Sequence, residues 1–143
     1  MNPESEYEYL GRIRKMKRNI ERLDEQIAVL RYSLLPGAIN YDKDRVNTSP
    51  KDTLTETFCR IDELTRQRNA LEFQSNDLAY QLCMEINTSV PAGKERSFLL
   101  RYYIHCEDMQ HIADELNISM RHCFRIRSNA MRQFMANVLG DNE

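Results

Sequence analysis

Residues 108–134, DMQHIADELNISMRHCFRIRSNAMRQF, decide how this chain reads. Ile112, Ala113 and Leu116 make one apolar face of a short helix. Asn117, Ile118 and Ser119 form a turn, with Ser119 capping the helix that follows. Cys123, Ile126, Ala130, Met131 and Phe134 then fall at spacings of three, four, one and three, as a single buried helical face requires. Arg121, Arg125, Arg127 and Arg132 lie among them, with no acidic residue between positions 119 and 139. A short helix, a tight turn and a basic second helix are the parts of a helix-turn-helix, the module that enters a DNA major groove. Double-stranded DNA is therefore the leading partner on this reading.

Upstream of this unit the pattern lengthens. Asn2 and Pro3 read as an N-cap and a first-turn proline, where the missing N–H costs nothing. Tyr9, Ile13, Met16, Ile20, Leu23, Ile27, Leu30 and Leu34 then alternate at spacings of four and three. That is a heptad seam, and it predicts one long helix ending at Leu35-Pro36-Gly37. A polar loop, residues 38–49, follows. Ser49 and Pro50 open a second long helix running to about Thr88. Its seam is Leu54, Phe58, Ile61, Leu64, Leu71, Leu78 and Leu82, broken by Arg68 and Ser75. Two such helices joined by a short loop predict an antiparallel coiled-coil hairpin over residues 1–88. Such a hairpin has little core of its own and invites packing on another subunit or on the C-terminal unit. After a linker at residues 87–93, a third helix is expected over 94–105, with Phe98, Leu99, Tyr102 and Tyr103 as its apolar residues. Cys106, Glu107 and Asp108 end it, and Asp108 is placed to cap the next helix. The expected fold is all-α, with the hairpin at 1–88 and a helix-turn-helix domain at 89–143.

Composition agrees with a folded helical chain. The 143 residues are 41% hydrophobic and 29% charged, with only four glycines and four prolines. The formal net charge is −2, so a DNA-binding surface has to be a local patch and not a global basic field. Cysteines stand at 59, 83, 106 and 123 without a CxxC pair, and the N-terminus MNPESEYEYL is acidic and polar. Together these predict a cytoplasmic protein with free thiols and no signal peptide. No apolar run approaches the roughly 20 residues that span a bilayer, so no membrane partner is expected. Cys106, His111, His122 and Cys123 fit no common zinc-finger spacing, and Cys123 is required on the buried face. There is no glycine-rich phosphate loop, GxSxG or HExxH. Neither a metal nor a cofactor is expected, nor is an enzyme.

The run Met109-Gln110-His111-Ile112-Ala113-Asp114-Glu115-Leu116-Asn117-Ile118-Ser119, closed by Ala130-Met131, is similar to region four of bacterial sigma factors. In that pattern Gly is usual where Asn117 stands; Asn is the next best residue for a left-handed turn position. The whole chain resembles a family of phage and prophage proteins related to late-gene activators of the ArpU and RinA kind. The resemblance includes the loop Tyr41-Asp42-Lys43-Asp44-Arg45-Val46-Asn47-Thr48-Ser49-Pro50. It implies transcription control in a phage or prophage.

If the helix after Ser119 docks as that resemblance implies, Met120, Arg121 and Arg125 face base edges, because they stand at its N-terminal end. The arginine fork matches guanine O6 and N7. His122, Phe124 and Ser128 fall nearer the sugar-phosphate backbone, with Arg127 and Arg132 further along. Solvated arginines, or arginines paired with acids of the hairpin, are the alternative. Met120 and Phe124 fit a thymine methyl or a protein surface. Arg12, Arg14, Lys15, Lys17, Arg18 and Arg22 crowd the first helix, relieved only by Glu21. They read first as the solvated flank of a coiled coil pairing with Glu56, Asp62 or Glu63, and second as a phosphate-contacting strip. The expected function is a DNA-binding transcriptional regulator whose hairpin supplies either homo-oligomerisation or contact with RNA polymerase. The rivals are a scaffold that binds RNA polymerase and a small-terminase-like packaging protein.

Overall fold

The computed structural model describes residues 3–35 and 50–140, and among them every regular element is helical. In order these are α1 (Pro3–Leu10), α2 (Arg12–Ser33), α3 (Pro50–Ser89), α4 (Lys94–Leu99), a π-helical turn (Leu100–Ile104), α5 (Met109–Leu116) and α6 (Met120–Gly140). No described helix is long and apolar enough to cross a membrane. The N-cap at Asn2, the turn at Pro36-Gly37, the loop at 38–49 and the Ser49 cap lie outside the described residues.

The expected single first helix is two, α1 and α2, meeting at Gly11. Helical hydrogen bonding passes through the junction, from Gly11 N to the Tyr7 carbonyl at 2.8 Å and from Lys15 N to the Gly11 carbonyl at 3.1 Å. The expected helix over 94–105 is also divided. After α4 the chain widens into the π-turn, whose last bond runs from His105 N to the Leu100 carbonyl at 3.0 Å. Cys106 then takes a positive φ of 56°, which stops the helix where the sequence predicts. Asp108 does occupy the position before α5, and its carbonyl accepts from Ile112 N at 3.0 Å. Its carboxylate makes no capping bond, so the expected side-chain cap is absent.

The chain forms two compact units. One comprises residues 1–15 and 75–143, the other residues 16–74. The expected boundary at 88/89 falls inside the first. The reason is visible in its core. The inner face of α6, Cys123, Ile126, Ala130, Met131 and Phe134, is buried as its spacing predicts. Ile112 and Ala113 of α5 and Phe98, Leu99 and Tyr103 cover part of it. Leu82, Ile86 and Val90 from the end of α3, with Leu10 and Ile13 from the N-terminal helices, complete the cluster. The C-terminal helices alone are too few to enclose that much apolar surface. Polar ties reinforce the arrangement. Tyr9 donates to Glu85 Oε2 at 2.7 Å, and its ring lies 6.3 Å from that of Phe134. Arg96 donates to the carbonyls of Val90 at 2.7 Å and Asn87 at 2.8 Å, satisfying acceptors that the end of α3 leaves open.

In the second unit Ile27, Ile61 and Leu64 are buried, with Leu23, Leu30 and Leu34 packed beside them. Arg68, a polar residue on the α3 seam, donates from Nε to Asp24 at 2.9 Å and also pairs with Glu72. Leu54 and Phe58 were expected on the buried seam but are exposed, Phe58 by 56%.

Candidate nucleic-acid interface

The geometry of the α5–α6 connection follows from three residues. Asn117 ends α5 in the left-handed conformation, φ 56° and ψ 50°, which Asn tolerates better than most residues other than Gly. Its N–H reaches the Asp114 carbonyl at 3.2 Å, and Ile118 N reaches the Ala113 carbonyl at 2.9 Å, which closes the C-terminus of α5. Ser119 caps α6: its Oγ accepts from His122 N at 3.1 Å and its carbonyl accepts from Cys123 N at 2.9 Å.

With the inner face of α6 fixed in the core, its outer face is determined. Arg121, His122, Phe124, Arg125, Ser128 and Arg132 are all exposed. Arg121, Arg125, Ser128 and Arg132 succeed one another at intervals of four, three and four, so they form one stripe along the helix. None of the three stripe arginines forms an ion pair or side-chain hydrogen bond with another described residue. Their alternative role, pairing with acids of α2 or α3, is not seen among the described residues. Met120 departs from the set: its side chain is half-buried against the core. Phe124 is 50% exposed, a large ring left on a surface otherwise polar.

Arg127 leaves the outer face altogether. Its Nε donates to Tyr103 Oη at 3.2 Å, and its guanidinium lies 4.9 Å from the ring centre of Tyr7 and 5.3 Å from that of Tyr102. Burial opposes the guanidinium charge, but the bond to Tyr103 and the nearby phenols outweigh it, and the pKa stands above its ordinary value. Burial likewise raises the Tyr103 phenol, with Arg127 pulling it back in part. The sequence signals its partial burial but not its partners. Arg127 stands four residues after Cys123 and four before Met131, at the margin of the buried face.

Arg14 was also expected among loose cations and is tied down. It donates to the carbonyls of Tyr102 at 2.9 Å and Glu107 at 3.3 Å, and lies 4.1 Å over the Tyr102 ring. Glu107 in turn approaches Arg101 at 3.6 Å and His111 at 3.4 Å. Cys123 is buried, its thiol pKa raised by burial, with Sγ 4.0 Å from the Met109 carbonyl. Among the described residues no group of three or more His, Cys, Asp or Glu is placed to hold a metal ion.

What the site offers is a cationic stripe on a helix anchored from behind. Comparison with known proteins adds no assignment: no protein-family profile, no curated protein and no solved structure matches this chain.

Proposed function

We propose that this chain is a cytoplasmic DNA-binding transcriptional regulator of the phage or prophage type, and that α5, the Asn117–Ser119 turn and α6 act as a helix-turn-helix. One observation carries the reading. Arg121, Arg125 and Arg132 stand without a partner among the described residues, on the exposed face of a helix whose other face is locked in a core. A helix presented in that way lays its N-terminal residues on base edges and its later cations on phosphates. Arg121 and Arg125 discriminate bases; Arg132 neutralises backbone charge. The long helices form an antiparallel hairpin, a reading supported by the Asp24–Arg68 pair and the Ile27, Ile61 and Leu64 cluster. That hairpin serves self-association or contact with the transcription machinery.

The test is selection of bound duplexes from a random pool at moderate salt. An enriched sequence supports the reading, and its symmetry gives the number of subunits on the site. A well-folded protein that enriches nothing overturns it. The exposed Phe124 ring favours one second reading, a surface for RNA polymerase. In that case polymerase is captured from host extract, and Phe124→Ala abolishes the capture while binding to DNA is absent throughout.

A further inference from the structure

The cations of α2 fall into two groups. Arg12 lies 4.3 Å over the Tyr9 ring and donates to the Tyr9 carbonyl at 3.0 Å, and Arg14 is held by two carbonyls. Lys15, Lys17, Arg18 and Arg22 are exposed, and none has an ion pair or side-chain hydrogen bond to another described residue. The first acids of α2 come only at Glu21, Asp24 and Glu25. The partners expected across the fold, Glu56, Asp62 and Glu63, do not reach these cations. In the hairpin proposed above, with Asp24 opposite Arg68, Asp62 and Glu63 lie opposite the far end of α2.

We propose that Lys17, Arg18 and Arg22 form a second polyanion-binding strip, one that grips the phosphate backbone of duplex DNA without reading its sequence. The choice of duplex DNA over other polyanions rests on the reading of α6 given above. Positions 17 to 22 span about 8 Å of helix at 1.5 Å per residue. That matches the Debye length of about 8 Å at physiological salt, so the three charges act together. Duplex DNA carries one charge per about 1.7 Å of axis, dense enough to engage all three. The competing surfaces fit less well. A helix that lies on a membrane inserts an apolar face, and the apolar seam of α2 at Leu23, Ile27 and Leu30 is already packed with Ile61 and Leu64. A protein partner needs a buried apolar or aromatic anchor, and the exposed residues between positions 15 and 22 are Lys15, Lys17, Arg18, Glu21 and Arg22.

The experiment uses the full chain with a selected and a random-sequence duplex, and binding to each is followed by fluorescence anisotropy over a range of salt. Three proteins are compared: the parent, the strip variant K17Q/R18Q/R22Q, and the α6 variant R121A/R125A/R132A. Circular dichroism establishes that each is folded. The strip variant is expected to lower the slope of log K against log salt by about two to three, since each phosphate neutralised contributes about 0.9. It should weaken binding to selected and random duplexes by the same factor. An unchanged slope overturns the strip. The two readings fail separately: a strip variant that acts beside an α6 variant inert on the selected duplex sinks the α6 reading and keeps the strip. Loss of binding to vesicles rich in phosphatidylserine, with duplex binding unaltered, overturns the strip in favour of a lipid surface.

Discussion

Arg127 and Tyr103 are joined by a hydrogen bond of 3.2 Å from guanidinium Nε to phenol oxygen, which ties the middle of α6 to the π-turn beneath it. Tyr103 is only 2% exposed, so without this donor its hydroxyl is left in the core. Hydrogen bonds to charged groups are worth about 1.5–3 kcal/mol. Arg127→Ala should therefore lower stability in urea unfolding by about 1–3 kcal/mol. Arg127→Lys should recover little, because an ammonium lacks the planar face that lies on Tyr7 and Tyr102. A double-mutant cycle with Tyr103→Phe should give a coupling above about 0.5 kcal/mol. Independent, additive effects would remove the tie.

The turn before α6 makes a second prediction. Asn117 has φ 56°, where a β-branched side chain is strained. Asn117→Val should cost about 1–2 kcal/mol, and Asn117→Gly should leave the melting temperature unchanged or raise it. Ser119→Ala removes the acceptor for His122 N and should cost about 1 kcal/mol. A valine at 117 as stable as glycine would contradict the left-handed assignment.

How far the sequence reaches is clearest at these same residues. The buried face of α6, the turn at Asn117 and the cap at Ser119 were legible because each follows from local chemistry: apolar spacing, left-handed tolerance, and a hydroxyl before a helix. What escaped depends on distant partners. Nothing near Arg127 or Arg14 in the sequence reveals that the tyrosines at 7, 102 and 103 converge on them. The boundary expected at 88/89 failed to anticipate the first unit for the same reason. Leu10, Ile13, Leu82 and Ile86 obey helical periodicity, and periodicity does not say that their partners are Phe134 and its neighbours. It also overstated the burial of Phe58, which obeys the seam spacing and is nevertheless exposed.

Alkaline pH provides a third prediction. Tyr103 and Tyr9 both have phenol pKa values raised in the fold, each first by burial, and Tyr9 also by its bond to Glu85. A raised folded value means that stability is fully present below the unfolded tyrosine pKa of about 10 and is lost as pH rises through the folded one. Stability should hold through neutral pH and fall above about 10. Tyr103→Phe should make that fall shallower, measured as urea midpoints across the alkaline range. An identical fall in parent and variant would mean that Tyr103 does not titrate in the fold.

The stripe on α6 gives the last prediction, and its strength is that the three arginines should not behave alike. Arg121 and Arg125 lie in the first two turns, where a helix docked by its N-terminus meets base edges; Arg132 lies nearly two turns further on. Arg121→Ala and Arg125→Ala should each weaken binding to a selected duplex by about 1–3 kcal/mol and scarcely alter binding to random duplexes. Arg132→Ala should weaken both equally and reduce the salt slope by about one. All three side chains are exposed and have no partner among the described residues, so their removal should leave unfolding midpoints unchanged, which separates weaker DNA binding from a damaged fold. Equal losses on selected and random duplexes for all three would make the stripe a phosphate grip alone, and base reading would then have to come from elsewhere on the chain.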